Sequence, residues 1–213
     1  MIHTSEFLLS TYDLCIVHDK AFFMAKHAIM EKWERFLSYH AEKISQWLSK
    51  PACKLPDEVK SSTPKISKGE NYQGLPYMVL DYPRLFTKQD TCAFRNILLW
   101  NRGLYSTWFF EGRYIPMAVS LFSFPSNCEL FLHQSVDKWT HELLSEDILL
   151  QQTTALDNIQ KAAAKLNYLK ISSFLPFEKW NTKLENENFA HLETVWRTFS
   201  SFGGQVDDKL YNT

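Results

Sequence analysis

An α+β fold, with an antiparallel sheet of about four to six strands in meander order packed against N-terminal and C-terminal helices, is what this sequence predicts. Three observations carry the prediction. Apolar residues recur at three- and four-residue steps over the first fifty positions. Short alternating runs separated by tight-turn residues follow from Leu75. Helical spacing then returns near Thr154. Strands segregated between helices argue for α+β, and turns too short for crossovers argue for antiparallel pairing.

Ser5-Glu6-Phe7-Leu8-Leu9 opens a short first helix. A longer one begins at Asp19, with Phe22, Ile29, Trp33, Phe36, Leu37, Ile44, Trp47 and Leu48 on one face. Glu31 and Arg35 pair at i,i+4 on the other side, and His40 falls in the apolar face as a hydrogen-bonded core or rim histidine. Pro51 ends the helix near Lys50. Residues 51–71 hold Pro51, Pro56 and Pro64 with no periodicity, and read as a loop or linker. The organisation expected is a helical segment 1–50, a linker 51–71 and a sheet with C-terminal helices over 72–213, forming one compact domain with 1–50.

Leu75–Tyr82 reads as the first strand, closed by Pro83. Ala93–Trp100 reads as the second, with Phe94, Asn96, Leu98 and Trp100 on one face and Arg95, Ile97 and Leu99 on the other. Asn101-Arg102-Gly103 turns into a third strand, Leu104–Phe110, and Glu111-Gly112-Arg113 marks another turn. Ile115–Phe124 adds a strand with Pro116 a weak point at its start, and Glu129–Gln134 adds one more. Thr154-Ala155-Leu156-Asp157 resembles a helix cap, followed by a stripe of Leu156, Ile159, Ala163 and Leu166. Tyr168–Phe174 is the last strand. Asn188–Phe202 is the last helix, with Phe189, Leu192, Val195, Trp196 and Phe199 on its apolar face and Gly203-Gly204 as its stop.

Composition narrows function by exclusion. A formal net charge of -1 argues against a nucleic-acid partner, which calls for a basic face. No run reaches the ~18–20 apolar residues of a spanning helix, and the opening residues lack a secretory pattern, so no membrane partner is expected. Cys15, Cys53, Cys92 and Cys128 form no CxxC pair and read as reduced thiols of a cytoplasmic protein. Aromatics reach 15%, with seven Trp and sixteen Phe, which suits a bulky core. Trp100, Trp108 and Phe110 read as cross-strand packing rather than a stacking platform for bases.

Motifs for chemistry are scarce. There is no GxSxG elbow, Walker A or GxGxxG, and six glycines are too few for a backbone-lined nucleotide site. Glu111 and Glu129 have no spacing that favours a carboxylate pair. His133, Asp137 and His141 are spaced four and four, which suits metal ligands on a helix, but His133 closes a strand. No metal and no cofactor is expected. The densest unusual stretch surrounds Tyr77, Asp81 and Arg84, where Arg84 can fork onto a carboxylate or phosphate with Asp81 orienting it, and Arg95 and Arg102 lie on or near neighbouring strands. These five residues are the ligand-binding candidates; catalytic residues are not identified. The leading expectation is a non-catalytic binding or protein-interaction domain. Its amphipathic N-terminal helix pairs with another protein or a second copy. An anionic small-molecule site near Asp81, Arg84 and Arg95, with an enzymatic role open, is the alternative.

Overall fold

The computed structural model describes residues 7–124, 128–180 and 185–200. Helix α1 spans Thr11–His18 and α2 Lys20–Leu48. A single turn, α3 (Asp57–Lys60), leads to four strands: β1 Lys65–Tyr72, β2 Leu75–Phe86, β3 Thr91–Leu99 and β4 Gly103–Glu111. Then come α4 (Tyr114–Leu121), β5 (Phe131–Leu132), β6 (Ile148–Leu149), α5 (Ala155–Leu166), β7 (Tyr168–Pro176) and α6 (Glu185–Ser200). The seven strands form one sheet in the order β1-β2-β3-β4-β7-β5-β6, with every pairing antiparallel.

The long helix lies where the spacing places it. Asp19 caps it, its side chain accepting from the Phe22 amide at 2.9 Å. Trp33, Leu37, His40, Ala41, Ile44 and Leu48 are buried against the sheet at three- and four-residue steps. Phe22, assigned to the same stripe, is 48% exposed, because the first turns of α2 project past the sheet. The short helix starts later than expected. Ser10, not Ser5, is its cap, exchanging hydrogen bonds with Asp13 in a capping box; Ser5 and Glu6 lie outside the described residues.

Strand alternation decides which side of the sheet each residue faces. Phe94 and Leu98 of β3 join the main core with Leu104, Trp108 and Phe110 of β4, beneath α2 and α6. Trp108 stacks on Phe110 at 5.4 Å and donates its indole N–H to the Val195 carbonyl at 3.1 Å. Leu192, Val195, Trp196 and Phe199 of α6 are buried as their spacing requires; Phe189 and Gly203-Gly204 fall outside what is described. On the opposite face, Ile97 and Leu99 pack with Val79 and Tyr105 in a smaller cluster.

Other elements also differ from the sequence reading, among them β6, which no sequence pattern predicts. Residues 51–71 are not a bare loop: they carry α3 and β1, an edge strand whose lysines and glycine conceal a strand pattern while guarding its open side. Gln73 and Gly74, at φ 52° and 82°, make the two-residue turn into β2. β2 continues through Pro83 to Phe86, because a register shift between Asp81 and Arg84 places the proline where the ladder needs no donor. Ile115–Phe124 is not a strand; α4 buries Tyr114, Ala118 and Leu121 at helical spacing, and Pro116 sits in its first turn, where no amide donor is required. In α5, Thr154 makes no side-chain cap bond, and the buried positions are Ala155, Ile159 and Ala162, while Leu156 is 48% exposed.

Candidate functional site

The sheet face away from the long helix carries a polar row. Register pairs Asp81 with Arg95, Arg95 with Thr107, and Thr107 with Ser172, across β2, β3, β4 and β7. A row of this kind in the middle of a sheet requires partners, and the irregular segment 133–147 supplies them by folding back over it.

Asp81 and Arg95 form a two-pronged pair, Nε to Oδ1 at 2.7 Å and Nη2 to Oδ2 at 3.0 Å. The guanidinium edge left over reaches His141, Nη1 to Nε2 at 3.3 Å. Burial, and then the nearby Lys170 and Arg95 charges, hold the His141 imidazole down at about 3, so its neutral ring accepts from Arg95. Lys170, one step along β7 from the row, is 3% exposed. Its ammonium donates to the carbonyls of Thr140 and of Lys138, and burial lowers its pKa to about 8. Lys138 pairs with Glu111 at 2.8 Å.

Beneath this layer a chain of hydrogen bonds runs through the sheet. Thr107 Oγ1 and Ser172 Oγ lie 2.7 Å apart, Ser172 Oγ and His133 Nε2 2.7 Å apart, and His133 Nδ1 faces Asp147 Oδ2 at 3.4 Å. The succession serine, histidine, aspartate is that of a nucleophile relay. Here Ser172 is 0% and His133 1% exposed, so no substrate carbonyl reaches the hydroxyl. Burial, and then Lys170 and His141 nearby, hold the His133 imidazole down at about 3, while the Asp147 carboxylate takes the amides of Gln134 and Leu144. A neutral ring with its Nδ1 proton toward Asp147 leaves Nε2 to accept from Ser172. The chain therefore pins the segment 133–147 to the sheet.

Where β2, β3, β4 and β7 meet that segment, a cavity of about 10 Å³ remains. Its polar wall is Arg95, Thr107, Lys138, His141 and Lys170, and its apolar wall is Phe86, Ala93, Phe109 and Trp139. Phe86 and Trp139 are 39% and 50% exposed and form its mouth.

Of the five sequence candidates, the structure brings together only Asp81 and Arg95. Asp81 orients Arg95, not Arg84, because the register shift separates the two ends of the Tyr-Pro segment. Arg84 turns to the residues before β1, its Nε donating to the Thr63 carbonyl at 2.9 Å. Arg102 sits in the β3–β4 turn and bonds Glu142 at 2.9 Å; Gln73 of the β1–β2 turn holds the other oxygen of the same carboxylate at 2.6 Å. Tyr77 packs over Gly69 and edge-on to Tyr72. Lys138 and Lys170 were not singled out in the sequence; Lys170 stands at a position of alternation in a hydrophobic strand, which is the one signal that marks it for burial. Among the described residues no group of three or more His, Cys, Asp or Glu is arranged to hold a metal ion.

A second feature lies at the N-terminus. Ten large apolar residues between Phe7 and Met24 are 42% to 77% exposed: Phe7, Leu8, Leu9, Tyr12, Leu14, Ile16, Val17, Phe22, Phe23 and Met24. α1 has no buried residue at all. No helix among the described residues is long and apolar enough to cross a membrane. No family model matches this chain, and neither does a curated protein or a solved structure.

Proposed function

We propose that this chain is a non-catalytic interaction domain, and that its N-terminal arm, Phe7–Met24, docks on the same arm of a second copy. The observation that carries the reading is the exposure of the arm. A helix with apolar side chains on every side is at home inside a protein interior, not in water. The ten residues present on the order of 1,000 Å² of apolar surface, taking ~200 Å² for each full side chain, and a stable interface buries ~800 Å² from each partner.

The charge pattern favours a like partner. The arm's charged residues are Asp13, Asp19 and Lys20; the Asp13 carboxylate accepts from the Ser10 amide in the capping box of α1, and Asp19 caps α2. Two such arms meet without repulsion, and an isologous contact lets each apolar side chain find its counterpart. A lone lysine gives an anionic lipid surface little to attract. The four cysteines are unpaired, two of them buried, which supports a reducing, cytoplasmic setting.

Sedimentation of the full chain across a dilution series tests this. The expected mass is twice 25.0 kDa, falling to the monomer on dilution and in a Phe22→Asp, Phe23→Asp variant that keeps the wild-type circular dichroism spectrum. A monomer at high micromolar concentration, or a variant that dimerises as wild type does, overturns the second-copy reading.

A further inference from the structure

We propose that the cavity beneath the 133–147 segment binds one small monovalent anion, of halide or carboxylate-head size. Three cationic side chains line it, Arg95, Lys138 and Lys170. Two have a carboxylate of their own: Asp81 for Arg95 and Glu111 for Lys138. Lys170 has none. The aspartates whose charge it feels, Asp147 and Asp137, are turned to other donors. Asp147 takes the amides of Gln134 and Leu144, and Asp137 takes the Trp139 amide and the Thr140 hydroxyl. Both neighbouring histidines are neutral. Among the described residues Lys170 is thus the one cation of the cavity wall with no carboxylate at ion-pair distance: its ammonium meets peptide carbonyls at contact, and the charges of Asp147 and Asp137 act on it only from further off.

Hydrogen-bond capacity points the same way. Lys170 spends two of its three donors on carbonyls, and Arg95 spends three of its five on Asp81 and His141. The Thr107 hydroxyl is committed to Ser172. What remains on the wall is two unspent donors of Arg95 and one of Lys170, beside the Thr107 oxygen. Donors outnumber acceptors on this wall, and an anion accepts from several of them at once. The volume of about 10 Å³ seats one atom of the guest, a halide or a single carboxylate oxygen. Phe109 and Trp139 complete the apolar side of the wall. Sulfate, larger than a halide, does not fit the space.

The test uses the full chain at neutral pH and fixed ionic strength. Sodium gluconate, too bulky for the cavity, is replaced stepwise by sodium chloride, formate or sulfate. Chloride or formate is expected to raise the melting temperature by about 3–5 °C with saturation, and sulfate to leave it unchanged. Saturation with chloride assigns a free halide; saturation with formate alone assigns the head group of an organic acid entering past Trp139. Lys170→Met abolishes the saturable shift. Lys138→Gln, at a side chain one-third exposed, keeps the fold and raises the half-saturating concentration several-fold. Excess broadening of the ³⁵Cl resonance, displaced by formate, reports halide binding without relying on the melt. Identical melts in every salt, or a Lys170→Met protein that responds as wild type does, overturns the proposal. If Lys170→Met does not fold, a half-saturating concentration unchanged by Lys138→Gln overturns it as well.

Discussion

Lowering the pH from 7.5 to 5 is expected to strip this protein of a large part of its stability, through histidines that it buries uncharged. His40 and His133 are each 1% exposed, and burial is the leading cause that holds both near 3. In the unfolded chain a histidine titrates near ~6.5. The folded value is the lower one, so below that pH the unfolded state binds more protons. Their stabilising contribution is complete above the unfolded value and is lost as the pH falls toward the folded one. At pH 5 the loss is about 2 kcal/mol for each, or about 4 kcal/mol for the two. His141 and His191, less deeply buried and held near 3 and 4, act in the same direction. Lys170 adds almost nothing in this window, because below about 8 it is charged in both states. Against a typical total of ~5–15 kcal/mol, a loss of this size is a steep acid transition. Urea unfolding at a series of pH values measures it, with the midpoint falling from about pH 6.5 downward. His40→Leu removes about 2 kcal/mol of the pH-dependent loss, and it also deletes a buried Nε2 that has no hydrogen-bond partner. A midpoint that is flat between pH 7.5 and 5, or a His40→Leu protein with the wild-type slope, refutes the reasoning.

Two further predictions concern the sheet. Arg95→Met leaves the Asp81 carboxylate, 12% exposed, without its guanidinium, at a cost of about 2–4 kcal/mol, and adding Asp81→Leu recovers most of it; a double variant no more stable than Arg95→Met in urea melts shows that the pair is not coupled. Gly112→Ala lowers the thermal midpoint by several degrees, since φ is +63° there and a Cβ would stand 2.2 Å from Asp90 Oδ1 and 2.4 Å from the Gln89 carbonyl; an unchanged melt removes that turn from the determinants of the fold.

What could be read from the sequence follows from which interactions are local. The α2 stripe was legible because packing on a sheet demands three- and four-residue spacing, and the residues obey it from Trp33 to Leu48. The two faces of β3 were legible for the same kind of reason, with Phe94 and Leu98 on one side and Ile97 and Leu99 on the other. Ile115, Val119 and Phe122 have strand-like composition, which hides α4, although Tyr114, Ala118 and Leu121 carry the helical period. At the site, Asp81 and Arg95 were both picked out, but their pairing was not. Cross-strand partners are fixed by register, and here a register shift at Pro83 sets it. His133, Asp137 and His141 drew notice for metal spacing; their actual roles come from an irregular segment lying on the sheet, which no periodicity announces. Lys170 became special only through Thr140 and Lys138, thirty residues away.

The strand order has a consequence for how the chain is made. β1 to β4 are joined by short turns and can zip together as they leave the ribosome. The next principal strand, β7, starts at Tyr168, well after β4 ends at Glu111. Until it arrives, the outer edge of β4 is unpaired, and that edge reads Leu-Tyr-Ser-Thr-Trp-Phe-Phe from Leu104 to Phe110. Such a segment, uncharged and aromatic, is a template for any other strand nearby. The nascent protein thus passes through an interval in which its stickiest strand is completed and its cover is not yet synthesised, and slow elongation between Arg113 and Tyr168 would lengthen that exposure.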